Sequence, residues 1–237
     1  MKLPILMYHS IDSFPKGTPM RGLHVPKYKF SIQMKILKIL GFQGLSLTQL
    51  LPYLNGEKKG KVFGITFDDG YKNNFESALP TLTKLNFSAT CYIVSNKIGS
   101  INSWDLEKGL PEMALMNSQE IKTWLDCGME IGSHTCSHKS LKTLDKKDYM
   151  IEIRNSKREL EQKFNCPIYH FCYPYGHFTE EIVRYVSKSN YLSATTVERG
   201  IADFSSDKFK LPRVPIWRST NIFSFLIKFF TNYENKK

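Results

Sequence analysis

The stretch Lys61-Val-Phe-Gly-Ile-Thr-Phe-Asp-Asp-Gly70 decides the fold and raises the first chemical question. Its first part is an apolar run with the length of a buried strand, and two adjacent aspartates follow where that strand ends. Adjacent carboxylates repel when both are ionised, so a folded site needs a cation or a shared proton to hold them together. The fold must therefore supply a partner for this pair.

Outward from this strand, strand-like and helix-like segments alternate along all 237 residues. We predict strands at 3–8, 42–45, 61–67, 88–94, 129–133, 168–173, 191–196 and 211–216. Apolar spacing and capping residues predict helices at 30–40, 48–54, 75–85, 118–127, 145–164 and 179–189. This alternation, without a repeat or a flexible linker, predicts one parallel α/β domain, and seven or eight strands favour a barrel.

The composition indicates which partners and which cellular compartment the protein is suited to. The hydrophobic content of 41% supports a sizeable core, and the formal net charge of +11 at pH 7 gives an affinity for anions. The lysines are spread along the chain without a nucleic-acid motif, so we expect no nucleic-acid partner. The five scattered cysteines include no CxxC pair, which indicates a reducing compartment rather than a disulfide framework.

The two ends of the chain carry the predictions on location. The first twelve residues, MKLPILMYHSID, contain an apolar run that is too short for a secretory signal. We therefore expect these residues to form the first strand and the protein to be cytoplasmic. We place the barrel at 1–220 and treat 221–237 as an apolar and basic tail. Within it, 222–230 is strongly apolar and is flanked by Arg218, Lys236 and Lys237. Two interpretations stay open. The segment is either a last helix packed on the barrel or an interfacial segment that lies on the inner face of an anionic membrane.

Polar residues lie at or just past the carboxyl ends of several predicted strands. They are His9, Asp68, Asp69, Ser133, His134, the stretch Tyr173-Pro-Tyr-Gly176 and Arg213. In parallel α/β folds the carboxyl ends of the strands form the face where ligands bind. We therefore expect these residues from separate parts of the chain to meet in one site.

The segment His134-Thr-Cys-Ser-His138 adds two candidate metal ligands. Imidazoles four residues apart meet on one face if the backbone is helical there. Two histidines and a carboxylate form a three-ligand set of the kind that catalytic zinc sites use, and iron or cobalt also accepts it. One of Asp68 and Asp69 can then bind the metal, and the other can accept a proton from the water bound there. Spacing alone does not say which does which.

Three motifs together resemble the polysaccharide deacetylase family, the nodulation-type deacetylases of carbohydrate esterase family 4. They are Thr66-Phe-Asp-Asp-Gly70, Ser133-His134-Thr-Cys-Ser-His138 and Phe171-Cys-Tyr-Pro-Tyr-Gly176, in the family's order and separation. The resemblance implies a deformed (β/α)7-8 barrel, a zinc or other divalent ion, and hydrolysis of the N-acetyl amide, less often an O-acetyl ester, of a sugar residue. The partner would be an N-acetylated glycan of the bacterial surface or its precursor.

The resemblance also assigns roles to single residues. It implies that Asp68 is the general base and that Asp69, His134 and His138 bind the metal. Pro174 and Tyr175 belong to the motif that forms one groove wall, and the backbone N–H of Tyr175 would help stabilise the oxyanion.

The sequence departs from the family pattern at two positions. The late strand reads Leu211-Pro-Arg-Val where the family has Leu-x-His, and Tyr173 stands where an arginine is usual. Arg213 is the candidate that restores a positive charge near Asp68. His9 is our first candidate for the general acid and His177 the second, although each also fits an ordinary structural histidine.

Two other functions stay open at this stage. The absence of the family's late histidine and third-motif arginine is consistent with a glycan-binding protein that retains a metal but does not catalyse a reaction. A metal-dependent amidase acting on a non-sugar amide fits the same ligand set. Release of acetate from N-acetylated sugars separates the three functions.

Overall fold

The computed structural model describes residues 2–106 and 108–236, so Met1, Glu107 and Lys237, the last of the predicted basic tail residues, lie outside it. The strands are β1 (Ile5–Tyr8), β2 (Gln43–Leu45), β3 (Val62–Phe67), β4 (Thr90–Ile93), β5 (Glu130–Ser133), β6 (His170–Cys172), β7 (Ser193–Arg199) and β8 (Leu211–Pro215). Each strand begins within two residues of its predicted start, and all pairings between the strands are parallel.

Pairing of β1 with both β3 and β8 closes seven of the strands into a ring. The register of the closing pair runs from Ile5 opposite Gly64 to Tyr8 opposite Phe67. The short β2 lies outside this ring, on the first half of β3. The predicted single-domain barrel is confirmed, with seven strands in the barrel wall.

Helices follow most strands and cover the outside of the barrel. They are α1 (Lys27–Ile39), α2 (Leu47–Leu54), α3 (Leu79–Leu85), α4 (Ser103–Leu106), α5 (Ser118–Asp126), α6 (Lys146–Phe164), α7 (Glu180–Lys188) and α8 (Ile222–Phe230). The side chains of Asn117, Asp145 and Thr179 cap α5, α6 and α7 by accepting backbone hydrogen bonds. The four-residue α4 is too short to leave a periodic apolar signal and was not predicted.

The helix α2 fills the amino-terminal end of the barrel instead of covering its side. Leu47, Leu50 and Leu54 are buried in a cluster with interior residues such as Tyr92 and Leu211. Gly64 leaves room for this packing, because a Cβ there would lie 3.0 Å from the Leu50 side chain. With one end closed by α2, the carboxyl ends of the strands surround the open end.

The tail forms the helix α8, with one buried and one exposed face. Phe225 and Phe229 are buried, and the Phe229 ring lies 5.4 Å from that of Phe63 in β3. Phe223, Ile227 and Phe230 are exposed on the other face. Among the described residues, no helix combines the length and apolar character needed to cross a membrane.

Candidate active site

A cavity of about 400 Å³ opens at the carboxyl ends of the strands. It is lined by the predicted site residues His9, Asp68, Asp69, His134, His138 and Tyr175. The alternation of strand residues explains how they converge: Phe63, Ile65 and Phe67 of β3 pack outward among the helices, so Thr66 and Asp68 point into the barrel. Pro174, the residue before Tyr175, is buried, and Arg213 donates a hydrogen bond to Asp68 from inside the barrel.

Asp69 departs from the alternation that would have sent it to the opposite face from Asp68. It follows the end of β3 with φ of 72°, and Gly70 continues in the same left-handed region with φ of 74°. This conformation is uncommon for an aspartate and stores backbone strain of about 1–3 kcal/mol. Its effect is to bring both carboxylates into the same cavity.

Asp69 faces both histidines of the His-x-x-x-His segment. Its Oδ1 lies 3.4 Å from His134 Nε2 and 3.1 Å from His138 Nε2, and all three residues are buried. Burial opposes ionisation of Asp69, but the hydrogen bonds of the two imidazoles outweigh it and hold the pKa of Asp69 well below its usual range. Burial lowers the pKa of His138, which favours its neutral form.

The two histidines meet through an irregular loop and not through a helical turn, so the helical interpretation of this segment was wrong. Thr135 and His138 have φ of 67° and 61°, which no α-helix accommodates. Glu152 of α6 holds the loop, since its carboxylate accepts hydrogen bonds from the backbone N–H of Cys136 at 2.8 Å and of Ser137 at 2.9 Å. The Cys136 sulfur contacts the Glu152 carbonyl oxygen and the Glu159 carboxylate.

The donor set of Asp69, His134 and His138 fits a divalent metal. His134 Nδ1 lies 2.8 Å from the Cys172 carbonyl oxygen, which only accepts, so Nδ1 carries a proton and Nε2 is the atom that would bind a metal in place of its own proton. Tetrahedral coordination at zinc bond lengths separates neighbouring ligand atoms by roughly 3.4 Å. The distances from Asp69 Oδ1 to the two imidazole nitrogens, 3.4 Å and 3.1 Å, are close to this value. Three protein ligands leave the cavity side open, as in catalytic zinc sites.

Asp68 has a different partner from Asp69. Arg213 Nη1 and Nη2 donate to the two carboxylate oxygens of Asp68, each at 2.7 Å, and Arg213 Nε donates to the Thr196 carbonyl oxygen at 2.8 Å. Burial raises the pKa of Asp68, but the charge and hydrogen bonds of Arg213 outweigh it and lower the pKa. Arg213 therefore supplies a positive charge beside Asp68, and the Tyr173 hydroxyl donates to the Phe209 carbonyl oxygen.

Of the six histidines in the sequence, three line the cavity: His9, His134 and His138. His9 Nε2 lies 3.8 Å from Asp68 Oδ2, and its side chain is 19% exposed. His177 lies outside the cavity lining, with Nδ1 2.9 Å from the Ser140 hydroxyl. His24 is buried against Phe14, and His170 lies at the closed end beside Ser193.

Sequence reasoning missed the wall that the loop around α4 contributes. The ring of Trp104 stacks on His138 with centroids 4.5 Å apart, and Tyr175 meets His138 edge-on at 4.7 Å. Lys108 Nζ donates to the Tyr175 hydroxyl at 3.0 Å and to Asp105 at 3.1 Å. No pattern in the sequence marks this contact, because its partners come from separate loops.

A barrel with a closed end, and an open polar cavity where two histidines and two carboxylates meet, is an arrangement suited to a hydrolase. The sequence model of the polysaccharide deacetylase family matches residues 55–194, which is more than half of the chain. The chain therefore belongs to the polysaccharide deacetylase family. It is a hydrolase acting on carbon–nitrogen bonds other than peptide bonds, in a family whose deacetylases are metal-dependent.

Individual relatives agree with this assignment over nearly the whole chain. A polysaccharide deacetylase from Bacillus cereus is 30% identical with a TM-score of 0.81, over 96% of this chain and 69% of that one. A Streptococcus pyogenes deacetylase, solved in complex with acetate, is 26% identical with a TM-score of 0.84, over 96% and 98%. The poly-beta-1,6-N-acetyl-D-glucosamine N-deacetylase of Staphylococcus aureus is 25% identical over 236 residues, 94% of this chain and 77% of that protein.

Proposed function

We propose that the chain removes the N-acetyl group from N-acetylglucosamine residues of a bacterial surface glycan or its precursor, with zinc held by Asp69, His134 and His138. The observation that carries the proposal is the pair of neighbouring carboxylates with separate partners, Asp69 on two imidazoles and Asp68 on Arg213. The name of the Staphylococcus aureus relative supports the sugar, and the acetate in the Streptococcus pyogenes structure is the product that this reaction releases.

The residues of the chain divide the work of amide hydrolysis. A divalent ion at this cluster would lower the pKa of a bound water towards about 7 and polarise the acyl carbonyl. Asp68 accepts the proton of the attacking water, and the bidentate contact with Arg213 keeps its carboxylate fixed and ionised. The backbone N–H of Tyr175 stabilises the oxyanion, and His9, 3.8 Å from Asp68, delivers a proton to the leaving amine.

Acetate release from a panel of N-acetylated glycans tests the proposal, with metal removed by chelation and zinc then added back. We expect acetate from N-acetylglucosamine oligomers only with metal present. Binding of the oligomers without acetate would contradict the proposal and indicate a glycan-binding protein. Acetate from a small acyl amide, with none from sugars, would contradict it and indicate an amidase.

We also propose that the exposed face of α8 contacts an anionic membrane surface. Phe223 is 76% exposed and Phe230 is 49% exposed, and the ring centres of Phe230 and Phe42 lie 5.6 Å apart. Lys61 Nζ lies 5.9 Å from the centre of the Phe42 ring and supplies the charge that anionic head groups require. Cytoplasmic location stays a prediction from the sequence.

Vesicle sedimentation tests the contact without disturbing the core. Replacing Phe223 and Phe230 by serine should weaken binding to vesicles that contain phosphatidylserine, with little effect on melting temperature. The matched control is Phe204→Ser, at a position outside α8 where the side chain is 73% exposed. Equal binding by all three proteins would reject the contact.

A further inference from the structure

A groove lies between α6 and α7 on the outer wall of the barrel, away from the catalytic cavity. It consists of two adjoining cavities, of about 590 Å³ and 410 Å³, which share the lining residues Met150, Arg154 and Tyr185. Neither of them shares a lining residue with the catalytic cavity. The groove is therefore open to a ligand that the hydrolytic reaction does not use.

The sequence of α6 explains why basic side chains line this groove. The residues of α6 that are buried against the barrel recur every three or four positions, and they are Tyr149, Ile153, Ser156 and Leu160. On the opposite face of the helix, Lys147, Arg154 and Arg158 are exposed. One face of α6 thus belongs to the core, and the other presents cations beside α7.

Cations dominate the lining of the groove. They are Lys146, Lys147, Arg154, Lys157, Arg158 and Lys188, and Glu161 is the one carboxylate among the described lining residues. Lys146 is paired with Glu181 at 2.6 Å, and Lys157 is paired with Glu161 at 2.8 Å. Within residues 2–106 and 108–236, the other four cations have no carboxylate within salt-bridge distance. These four charges are available to an anionic ligand.

Hydroxyl and amide groups add hydrogen-bond donors to these charges. The Tyr185 side chain lines both halves of the groove, and its hydroxyl oxygen is buried without a hydrogen-bond partner in the described part of the chain. A buried hydroxyl without a partner costs free energy, which an acceptor on a ligand would recover. Asn155 and Asn190 place one amide in each half. A ligand that fits this groove is therefore rich in acceptor oxygens.

The density of the charges indicates what kind of anion fits. The lining residues on α6 run from Lys146 to Glu161, which is about 22 Å of helix at 1.5 Å per residue. Six cations over this length correspond to about one charge per 4 Å. A linear polymer with a phosphate in every repeat supplies dense charge and several acceptor oxygens with each charge. An acidic helix supplies less, because carboxylates on one of its faces lie about 5–6 Å apart.

The position of the groove on the barrel argues against a membrane or a second copy of the chain as its ligand. In the closed ring of strands, β6, which connects α6 to α7, lies opposite β3, on which α8 packs. A flat surface that contacts the exposed face of α8 therefore cannot reach the groove, which is also concave. A second copy has the same net charge of +11 and is repelled.

We infer that the groove between α6 and α7 binds a linear polyanion that has repeated phosphate groups. Arg154 lies where the two halves of the groove meet, and Lys147 and Lys188 belong to one half each. Arginine side chains hold phosphate oxygens with two parallel hydrogen bonds, so Arg154 and Arg158 are the main contacts. Binding here leaves the catalytic cavity open, and the inference does not depend on the proposed deacetylation.

Calorimetric titration with short chains of inorganic polyphosphate, at physiological salt, tests the groove. We expect wild type to bind polyphosphate, and the double variant Arg154→Gln with Arg158→Gln to bind it about tenfold more weakly. The control is Lys27→Gln with Lys35→Gln, which removes the same charge from exposed positions on α1 and should change the affinity by less than about twofold. Polyglutamate with the same number of charges should bind wild type more weakly than polyphosphate.

Three results would overturn the inference. The first is that wild type does not bind polyphosphate. The second is that the arginine variant weakens binding no more than the α1 control does, which would indicate attraction to the net charge alone. The third is tighter binding of polyglutamate, which would indicate an acidic protein segment as the partner. If the arginine variant does not fold, Lys147→Gln with Lys188→Gln removes one charge from each half of the groove and decides between the same outcomes.

Discussion

At the residue scale, Asp68 and Asp69 are neighbours in sequence with separate electrostatic partners. Asp68 is paired with a guanidinium and Asp69 with two imidazoles. This answers the question raised by the aspartate pair, since each carboxylate has its own hydrogen-bonding partners. The second oxygen of Asp68 also lies within 3.8 Å of His9, on the cavity side.

Replacing Arg213 by methionine should both destabilise the fold and remove activity. The change leaves the buried Asp68 carboxylate unpaired, and breaking such a pair costs about 3–5 kcal/mol of unfolding free energy. Urea unfolding measures this loss. The double variant Asp68→Leu with Arg213→Met should recover much of the stability, because neither charge is then buried alone. No difference between the single and double variants would contradict the pairing.

His9→Ala should slow hydrolysis by about 100-fold without changing metal content, as expected for loss of an acid catalyst. Elemental analysis and acetate release under saturating substrate measure the two quantities. His177→Ala, which changes a histidine outside the cavity lining, is the control. Kinetics of His9→Ala equal to those of wild type would remove His9 from the reaction.

At the element scale, strand alternation accounts for what the sequence predicted about the site, and loop conformation accounts for what it did not. Arg213 in β8 lies between two inward-facing neighbours, Leu211 in the interior cluster and Pro215 in the cavity wall, so the strand pattern predicts its direction. The left-handed backbone at Thr135 and His138 follows no periodic pattern. The stacking of Trp104 on His138 depends on a tertiary contact between loops.

Glu152→Ala should weaken metal binding although Glu152 lies on α6 and is not a ligand. Its carboxylate fixes the loop between the two histidines, and loss of an outer contact of this kind typically lowers metal affinity by 10–100-fold. Competition with a fluorescent zinc chelator measures the affinity. Asp148→Ala, one helical turn earlier on α6 at an exposed position, is the control. Equal affinity in wild type and Glu152→Ala would show that the loop holds its shape unaided.

At the scale of the whole molecule, the two ends of the barrel have different tasks. The open end carries the cavity, and the closed end is held by α2 and by a polar cluster around Glu130. The Glu130 carboxylate accepts hydrogen bonds from Thr48 and Thr90 and lies 3.4 Å from His170 Nε2. Burial raises the pKa of Glu130, but His170 and the threonine hydroxyls outweigh it and lower the pKa to about 2.

This cluster should make stability depend on pH in acid. A carboxylate whose pKa falls from 4.5 to about 2 on folding stabilises the fold above pH 4.5, by roughly 3 kcal/mol, and loses that contribution as the pH falls towards 2. Urea unfolding should therefore show that the free energy of unfolding falls less between pH 7 and pH 3 in Glu130→Gln than in wild type. Glu57→Gln, at an exposed glutamate, should behave like wild type. An identical acid loss in all three proteins would contradict this role.

Metal content and acetate release, measured together on Asp68→Asn and Asp69→Asn, test the catalytic arrangement most directly. Asp68→Asn should retain one equivalent of zinc and lose turnover by about 100-fold or more, because only proton transfer is removed. Asp69→Asn should lose both the zinc and the turnover, because a ligand is removed. Full activity in Asp68→Asn, or full zinc occupancy in Asp69→Asn, would contradict the assignment of the two aspartates.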